Sequence, residues 1–397
     1  MINAIGQAFL VELLRKGSHE SSCNAHDRGK PPETECEDMD RVRIGIIGCG
    51  RISDLHAAGY RADPRSIIAA VCDADSAKAQ SKAYEWGAGK WHSDYRALLA
   101  DQDVDAVDIV TPQRCHEAMA LESLAAGKHV CVQKPMTVDM DSADRMVAAA
   151  AAAGGKIFKL SENYVFYPPL VLAKGMIDDG KIGEPTSMRI KFISGSRGGW
   201  EVPDSAWDWR KDEHRRGFGM QTFDHGHHMW SVAWYLMGEI ERVFAWIDSV
   251  DGFLDCPANI MWKYAGAPKY GSCDYSHGTA LHVPSRYYAN DEWFEVTGSE
   301  GIVMVTRCTG NVQGGAPVRL FRDDRWTEYS DVDSDWAAGF RGSTANFISA
   351  ILGSEAPALT AERGREVLRM DLAIQESARA RREVELAGFR GGPAAAV

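Results

Sequence analysis

Two segments of this chain hold proton-handling side chains at spacings that suit chemistry. Gln133-Lys134-Pro135 closes an apolar run, and Pro135 fixes the backbone beside the lysine. An ammonium group held there can donate to the oxygen of a secondary alcohol or help draw off its proton. The second segment runs from Gly217 to His228 and ends Asp224-His225-Gly226-His227-His228. Asp224 and His228 stand four apart, so a helix would carry both on one face. A histidine near neutral pKa is a natural general base for an alcohol proton, and Asp224 is expected to orient it and stabilise its imidazolium. Lys134, Asp224 and His228 are therefore the candidate catalytic residues. Three histidines and an acid are also potential metal ligands. No His-Glu-x-x-His motif or cysteine pair accompanies them, and hydride transfer needs no metal, so none is expected. His225 and His227 suit a satisfied core role better than His228 does.

A coenzyme for that hydride is expected upstream. The run RVRIGIIGCG (41–50) reads as a buried strand and its turn, with a helix opening near Ile52. Gly48 would permit the tight turn, and Gly50 would let the backbone approach a pyrophosphate. Arg51 and Ile52 lead into the helix N-terminus, whose N–H groups and dipole favour an anion. Ser53 stands where a third glycine is usual, so helix and strand are expected to sit slightly farther apart. Asp73 ends the next strand, about 20 residues on, where a carboxylate accepts from an adenosine ribose hydroxyl and repels a 2′-phosphate. NAD is thus favoured over NADP. Thr111-Pro112 closes another strand at the same sheet edge. His116 follows as a helix-start residue near the cofactor, and Lys134 completes the cofactor-facing set.

A strand with its turn at 41–50 and strands at 66–73, 104–112, 129–135 and 156–163 alternate with helices at 113–126 and 139–153, implying a doubly wound parallel sheet. After Pro168-Pro169 the texture changes. A helix to about Asp179 precedes strand-like stretches at 185–194, 242–250, 270–283 and 292–306, the last with a turn at Gly298–Gly301. A helix around 222–237 interrupts them, and helices near 334–353 and 361–385 close the chain. The expected fold is α/β, a Rossmann domain over 41–165 joined to an α+β domain with a mostly antiparallel sheet over 166–390. The last helix is free to pack back on the first domain. Residues 1–40 read as a leader, a short amphipathic helix and then a flexible polar stretch, with Met39 as a possible alternative start. The tail GFRGGPAAAV reads as disordered.

The bulk numbers exclude some partners. A formal charge of −12 argues against nucleic acid and anionic membranes. No apolar run reaches the ~18 residues of a membrane span. Nine scattered cysteines without a Cys-x-x-Cys pair suggest a reducing, cytoplasmic setting. The open face of an antiparallel sheet suggests a homo-oligomer.

Together GIIGCGRIS, VTP (110–112), QKP (133–135) and DHGHH (224–228) resemble the fingerprint, strand-end, Glu-Lys-Pro and Asp-x-Gly-x-His motifs of the Gfo/Idh/MocA family. The resemblance spans about residues 41 to 390. It implies an NAD-dependent oxidoreductase with catalytic roles for Lys134, Asp224 and His228. Gln133 departs from the motif, removing a charge beside Lys134. Most of the family oxidises sugars or inositols. The segment 287–310, the chain length and the insert 195–216 look more like a minority that oxidises carboxylated aromatic cis-dihydrodiols to catechols. That is the leading expectation, with a sugar, glycoside or inositol as the alternative. Trp200, Trp207, Trp209, Trp230 and Trp234 are candidates to hold a flat ring. Arg197, Arg210, Arg215 and Arg216 are candidates to clamp a carboxylate. Two further classes are a non-catalytic dinucleotide-sensing regulator and an NAD-assisted glycosidase.

Overall fold

The computed structural model describes residues 41–391. The expectations for the leader, its amphipathic helix and Met39 lie outside them. Six strands pair in parallel, β1 (Val42–Ile47), β2 (Ser66–Cys72), β3 (Lys90–His92), β4 (Ala106–Ile109), β5 (His129–Gln133) and β6 (Phe158–Ser161). Their spatial order is 3-2-1-4-5-6, the doubly wound Rossmann arrangement. The connecting helices are α1 (Ser53–Ala62), α2 (Ser76–Trp86), α3 (Tyr95–Leu99), α4 (His116–Ala125) and α5 (Met140–Ala152). Their ends follow local chemistry. Asp75 caps α2 by accepting from Ala77 and Lys78, and Asp139 caps α5 by accepting from Ser142.

The second half begins with α6 (Pro168–Asp178). Its sheet is built from β7 (Pro185–Arg197), β8 (Ile240–Ile247), β9 (Ala258–Tyr264), β10 (Tyr270–His282), β11 (Asn290–Gly298), β12 (Gly301–Val305), β13 (Val318–Arg322), β14 (Arg325–Tyr329) and β15 (Val384–Glu385). The order is 14-13-12-11-7-10-9-8-15, antiparallel at every junction except β7 with β10. Two helices, α7 (Asp204–Arg215) and α8 (Gly226–Met237), lie between β7 and β8. The last two are α9 (Ala337–Ile351) and α10 (Ala361–Ala380). One face of the sheet buries Ile190, Phe192, Ile260, Trp262 and Phe294 against Met229, Trp230 and Ala233 of α8 and Met370 and Ile374 of α10. The other face leaves Trp246, Met261, Tyr270 and Trp326 exposed.

Three expectations need correction. The helix expected around 222–237 starts as a π-helical turn, Met220–His225, and becomes α-helical only at Gly226. The helix expected to 385 stops at Ala380, where Arg381 adopts the left-handed region, and the chain turns to pair β15 with β8. The start of the tail is not loose: Arg390 pairs with Asp141 at 2.7 Å and Asp144 at 2.6 Å on α5. Among the described residues no helix is long and apolar enough to cross a membrane.

Candidate active site

The carboxyl edge of the parallel sheet is where an open α/β fold binds ligands. At β1 the chain makes the glycine turn. Gly48 has φ +101°, and a Cβ there would lie 2.3 Å from the Val110 carbonyl oxygen, so no other residue fits. At Gly50 an added Cβ would meet nothing within 4 Å, which leaves the backbone open to a ligand. No side chain caps the start of α1. An open glycine, an uncapped helix N-terminus and a neighbouring acid together fit the pyrophosphate and ribose of a dinucleotide. Asp73 is that acid: its carboxylate accepts from Cys49 N–H at 2.8 Å and from Asp75 N–H at 3.0 Å. Ser53 is fully buried and donates to Gly50 O at 2.5 Å, bracing the turn from within. Arg51 is exposed and lies 4.5 Å over the Trp200 ring.

Thr111 and Pro112 close β4 at the same edge, both partly exposed. His116 is fully buried, with Nδ1 3.0 Å from Pro135 O and Nε2 2.8 Å from Thr111 O. Both ring nitrogens thus lie on backbone carbonyls, so the ring braces two strand-end turns instead of contacting a cofactor directly. The next turn is clasped from the other half. Arg114 binds Glu213 at Nε (2.6 Å) and Asp212 at 3.1 Å, tying α7 over this edge.

Lys134 leaves the end of β5 and donates from Nζ to Asp224 O at 2.8 Å and to Asp224 Oδ1 at 3.0 Å. The π-helical turn makes this reach possible. Asp255 pins its start by accepting from Gln221 and Thr222 N–H, both at 2.7 Å. Asp224 N–H then bonds Gly219 O, five residues back, at 3.0 Å. Burial alone would raise the Asp224 carboxyl, but the Lys134 and Arg210 charges hold it below its ordinary range.

The expectation that Asp224 orients His228 is corrected by the structure. The partner of His228 Nδ1 is Glu162, whose two oxygens lie at 2.7 and 2.9 Å, while Asp224 turns to Lys134. Glu162 follows β6 at the same sheet edge and also accepts from Tyr164 N–H at 2.9 Å. Burial pushes its carboxyl up, and that N–H and the nearby cations pull it back. Burial, reinforced by the Lys134 charge, holds His228 well below the ordinary histidine range. It is therefore a neutral imidazole with Nδ1–H on a carboxylate, and its Nε2 lone pair is the basic one. The Tyr164 ring stacks on it at 4.2 Å.

Sequence reasoning missed Glu162, although Ser161-Glu162-Asn163 ends its strand just as Gln133-Lys134 ends β5. It also missed Glu292, which is fully buried on β11 with its oxygen 2.9 Å from His225 Nε2. Only Arg210 of the four candidate arginines belongs here, 3.9 Å from Asp224 and stacked on Trp209. Arg197 binds Ala280 O, and Arg215 and Arg216 are exposed beside Asp212. Trp230 is core, and Trp234 lies under Arg363 near Glu239. Trp207 packs on Phe253. Among the described residues no group of three or more His, Cys, Asp or Glu is placed to hold a metal. His225, His227 and His228 each face a different carboxylate.

A parallel sheet with a glycine turn and an acid on the next strand defines a dinucleotide-binding scaffold. Residues 42–160 match the family model described as oxidoreductase family, NAD-binding Rossmann fold, and residues 174–386 match that family's C-terminal alpha/beta domain. The chain belongs to the Gfo/Idh/MocA oxidoreductase family. It is 29% identical over 216 residues to levoglucosan dehydrogenase of Pseudarthrobacter phenanthrenivorans, covering 52% of this chain and 54% of that protein. It is 26% identical over 355 residues to myo-inositol 2-dehydrogenase of Thermotoga maritima, covering 87% and 98%. It is 34% identical over 152 residues to 1-carboxy-3-chloro-3,4-dihydroxycyclo hexa-1,5-diene dehydrogenase of Comamonas testosteroni, covering 38% and 37%. The chain thus spans about half the length of the first of these relatives and less of the third. Among solved structures, an NAD binding oxidoreductase from Klebsiella pneumoniae superposes with a TM-score of 0.72 at 26% identity, over 87% of this chain and 99% of that one.

Proposed function

We propose that this chain is an NAD-dependent dehydrogenase oxidising a secondary alcohol of a vicinal diol on a six-membered ring. The observation that carries this reading is the bond from Lys134 Nζ to Asp224 across the two halves, with His228 one helical turn farther on. Gly48, Gly50, Arg51, Ile52, Asp73, Thr111, Pro112 and Lys134 are the residues that would hold NAD. Bound there, NAD would accept the hydride leaving the carbinol carbon. His228 takes the hydroxyl proton at Nε2, and Glu162 stabilises the resulting imidazolium. Lys134 keeps one N–H for the carbinol oxygen, and Asp224 aims it.

A neutral cyclic polyol, a sugar or inositol, is the substrate we favour. The two side-chain cations, Lys134 and Arg210, both lie on Asp224, while Glu162 and Glu292 lie on His228 and His225, which is a poor balance for a ring that brings its own carboxylate. The full-length likeness to the inositol dehydrogenase supports the same choice. A carboxylated cis-dihydrodiol is the second reading, favoured by Arg210 on Trp209 and by the relative from Comamonas testosteroni. We also read the exposed Trp246, Met261 and Tyr270 face as the contact of a homo-oligomer, which light scattering checks. The test of function is NADH formation from NAD with a panel of inositols, anhydrosugars, pyranoses and carboxylated cis-dihydrodiols. Turnover led by a neutral ring supports the proposal. Bound NAD with no NADH from any alcohol overturns it in favour of a non-catalytic sensor.

A further inference from the structure

Beneath Lys134 lies a buried hydrogen-bond chain that ends on the lysine's own backbone N–H. Asp108 on β4 is fully buried. Its Oδ2 lies 2.7 Å from His56 Nδ1 and accepts from Tyr60 O–H at 2.9 Å. His56 on α1 is 1% exposed, and its Nε2 lies 2.9 Å from Gln133 Nε2. Gln133 Oε1 in turn accepts from Lys134 N–H at 2.7 Å. The Asp108 charge has a counterpart in the same row of the sheet. Asp108 is in register with Cys131, and Cys131 with Lys159, a fully buried lysine that donates to Ser343 at 2.8 Å.

Donor and acceptor bookkeeping leaves this chain one arrangement. Lys134 N–H can only donate, so the amide oxygen of Gln133 must face it. The amide NH2 then faces His56, whose Nε2 must be the acceptor. The ring proton therefore sits on Nδ1 and points at the Asp108 carboxylate. Each bond polarises the next, so a fixed negative charge at one end strengthens the acceptor held against Lys134 N–H at the other.

We infer that Asp108, acting through His56 and Gln133, is a positioning residue for Lys134, setting the point from which its side chain reaches the reacting carbon. This rests on the role proposed for Lys134. A strand-end lysine held only by its own Asp224 contact would have a free backbone, and a shift of about 1 Å at a reacting group can cost 100-fold.

The chain makes its own test, because the carboxylate can be moved to the other side of His56. In Asp108→Asn/Gln133→Glu the glutamate would accept from both Lys134 N–H and His56 Nε2–H, and the asparagine NH2 would donate to Nδ1. We expect Asp108→Asn to lower kcat roughly tenfold, with KM for NAD within about twofold, and the double variant to recover to within about threefold of wild type. The assay alcohol is the panel member with the highest turnover. The imidazole 15N shifts of His56, assigned by loss in His56→Gln, should report a neutral Nδ1–H ring in the wild type and Nε2–H in the double variant. A wild-type ring that is Nε2–H or doubly protonated overturns the inference without any activity measurement. So does a double variant no faster than Asp108→Asn alone. Lys134→Met at full turnover would instead overturn the role given to Lys134, leaving the tautomer result standing.

Discussion

Helix α8 carries two imidazole–carboxylate pairs on adjacent residues, and they face opposite fates. His228 meets Glu162 at 2.7 Å, and His227 meets Asp371 at 2.7 Å. The chemistry is the same and so is the distance. The difference is access. His227 and Asp371 are both 0% exposed, sealed between α8 and α10, and His227 Nε2 is buried with no hydrogen-bond partner among the described residues. His228 keeps 8% of its side chain exposed and stands within the field of Lys134. Burial drives His227 down to about 3 and Asp371 up, and the sealed pair has no outlet for a proton. A dyad becomes a candidate base only where its imidazole keeps some access. One helical position, about 100° of rotation, makes that difference.

The largest effect should come from removing the group that spans both halves. Lys134→Met is expected to lower kcat by about 100- to 10,000-fold while the protein stays folded, as read from steady-state rates and circular dichroism. Next comes a direct contrast of the two dyads. Glu162→Gln should cost about 100-fold in kcat, because the imidazolium loses its counter-charge. Asp371→Asn should leave kcat within about threefold but destabilise the fold by about 3 kcal/mol in urea unfolding, since it breaks a sealed pair. Equal kinetic losses in both would erase the distinction. Asp73→Ser should raise KM for NAD about tenfold and narrow the preference over NADP, measured with both coenzymes. The smallest effect is Arg210→Gln. Turnover of a neutral polyol should stay within about threefold, whereas a carboxylated dihydrodiol would lose about 2 kcal/mol of apparent binding, seen as a raised KM.

The parallel half was readable because each buried strand is a short apolar run and each ends on a residue with a job. Gly48, Asp73, Thr111 and Lys134 all lie at the carboxyl edge that the alternation of strands and helices predicts. Glu162 obeys the same rule and went unremarked, since an acid in Ser161-Glu162-Asn163 reads as an ordinary loop start. The π-helical turn was invisible for a different reason. The spacing of Asp224 and His228 fits an α-helix, and what winds the segment differently is Asp255, more than thirty residues away in sequence and in no local pattern. Arginine and tryptophan roles were the least readable. Arg215 and Arg216 share a segment with Arg210, yet only the packing of α7 decides which one faces Asp224. On β9, Ala258, Ile260, Trp262 and Tyr264 alternate inward, a period that the expectations passed over.

The central claim is that neutral His228, held by Glu162, takes the alcohol proton. Because its proton affinity is depressed in the folded protein, the basic form persists as pH falls through the ordinary histidine range. The direct measurement is the pH dependence of single-turnover NADH formation in the wild type and in His228→Gln. The wild-type rate should stay level from about pH 8 to below about pH 6.5 and fall only in more acid solution. His228→Gln should be at least about 100-fold slower and rise with hydroxide across that range. A His228→Gln enzyme that keeps the wild-type rate and profile would contradict the account.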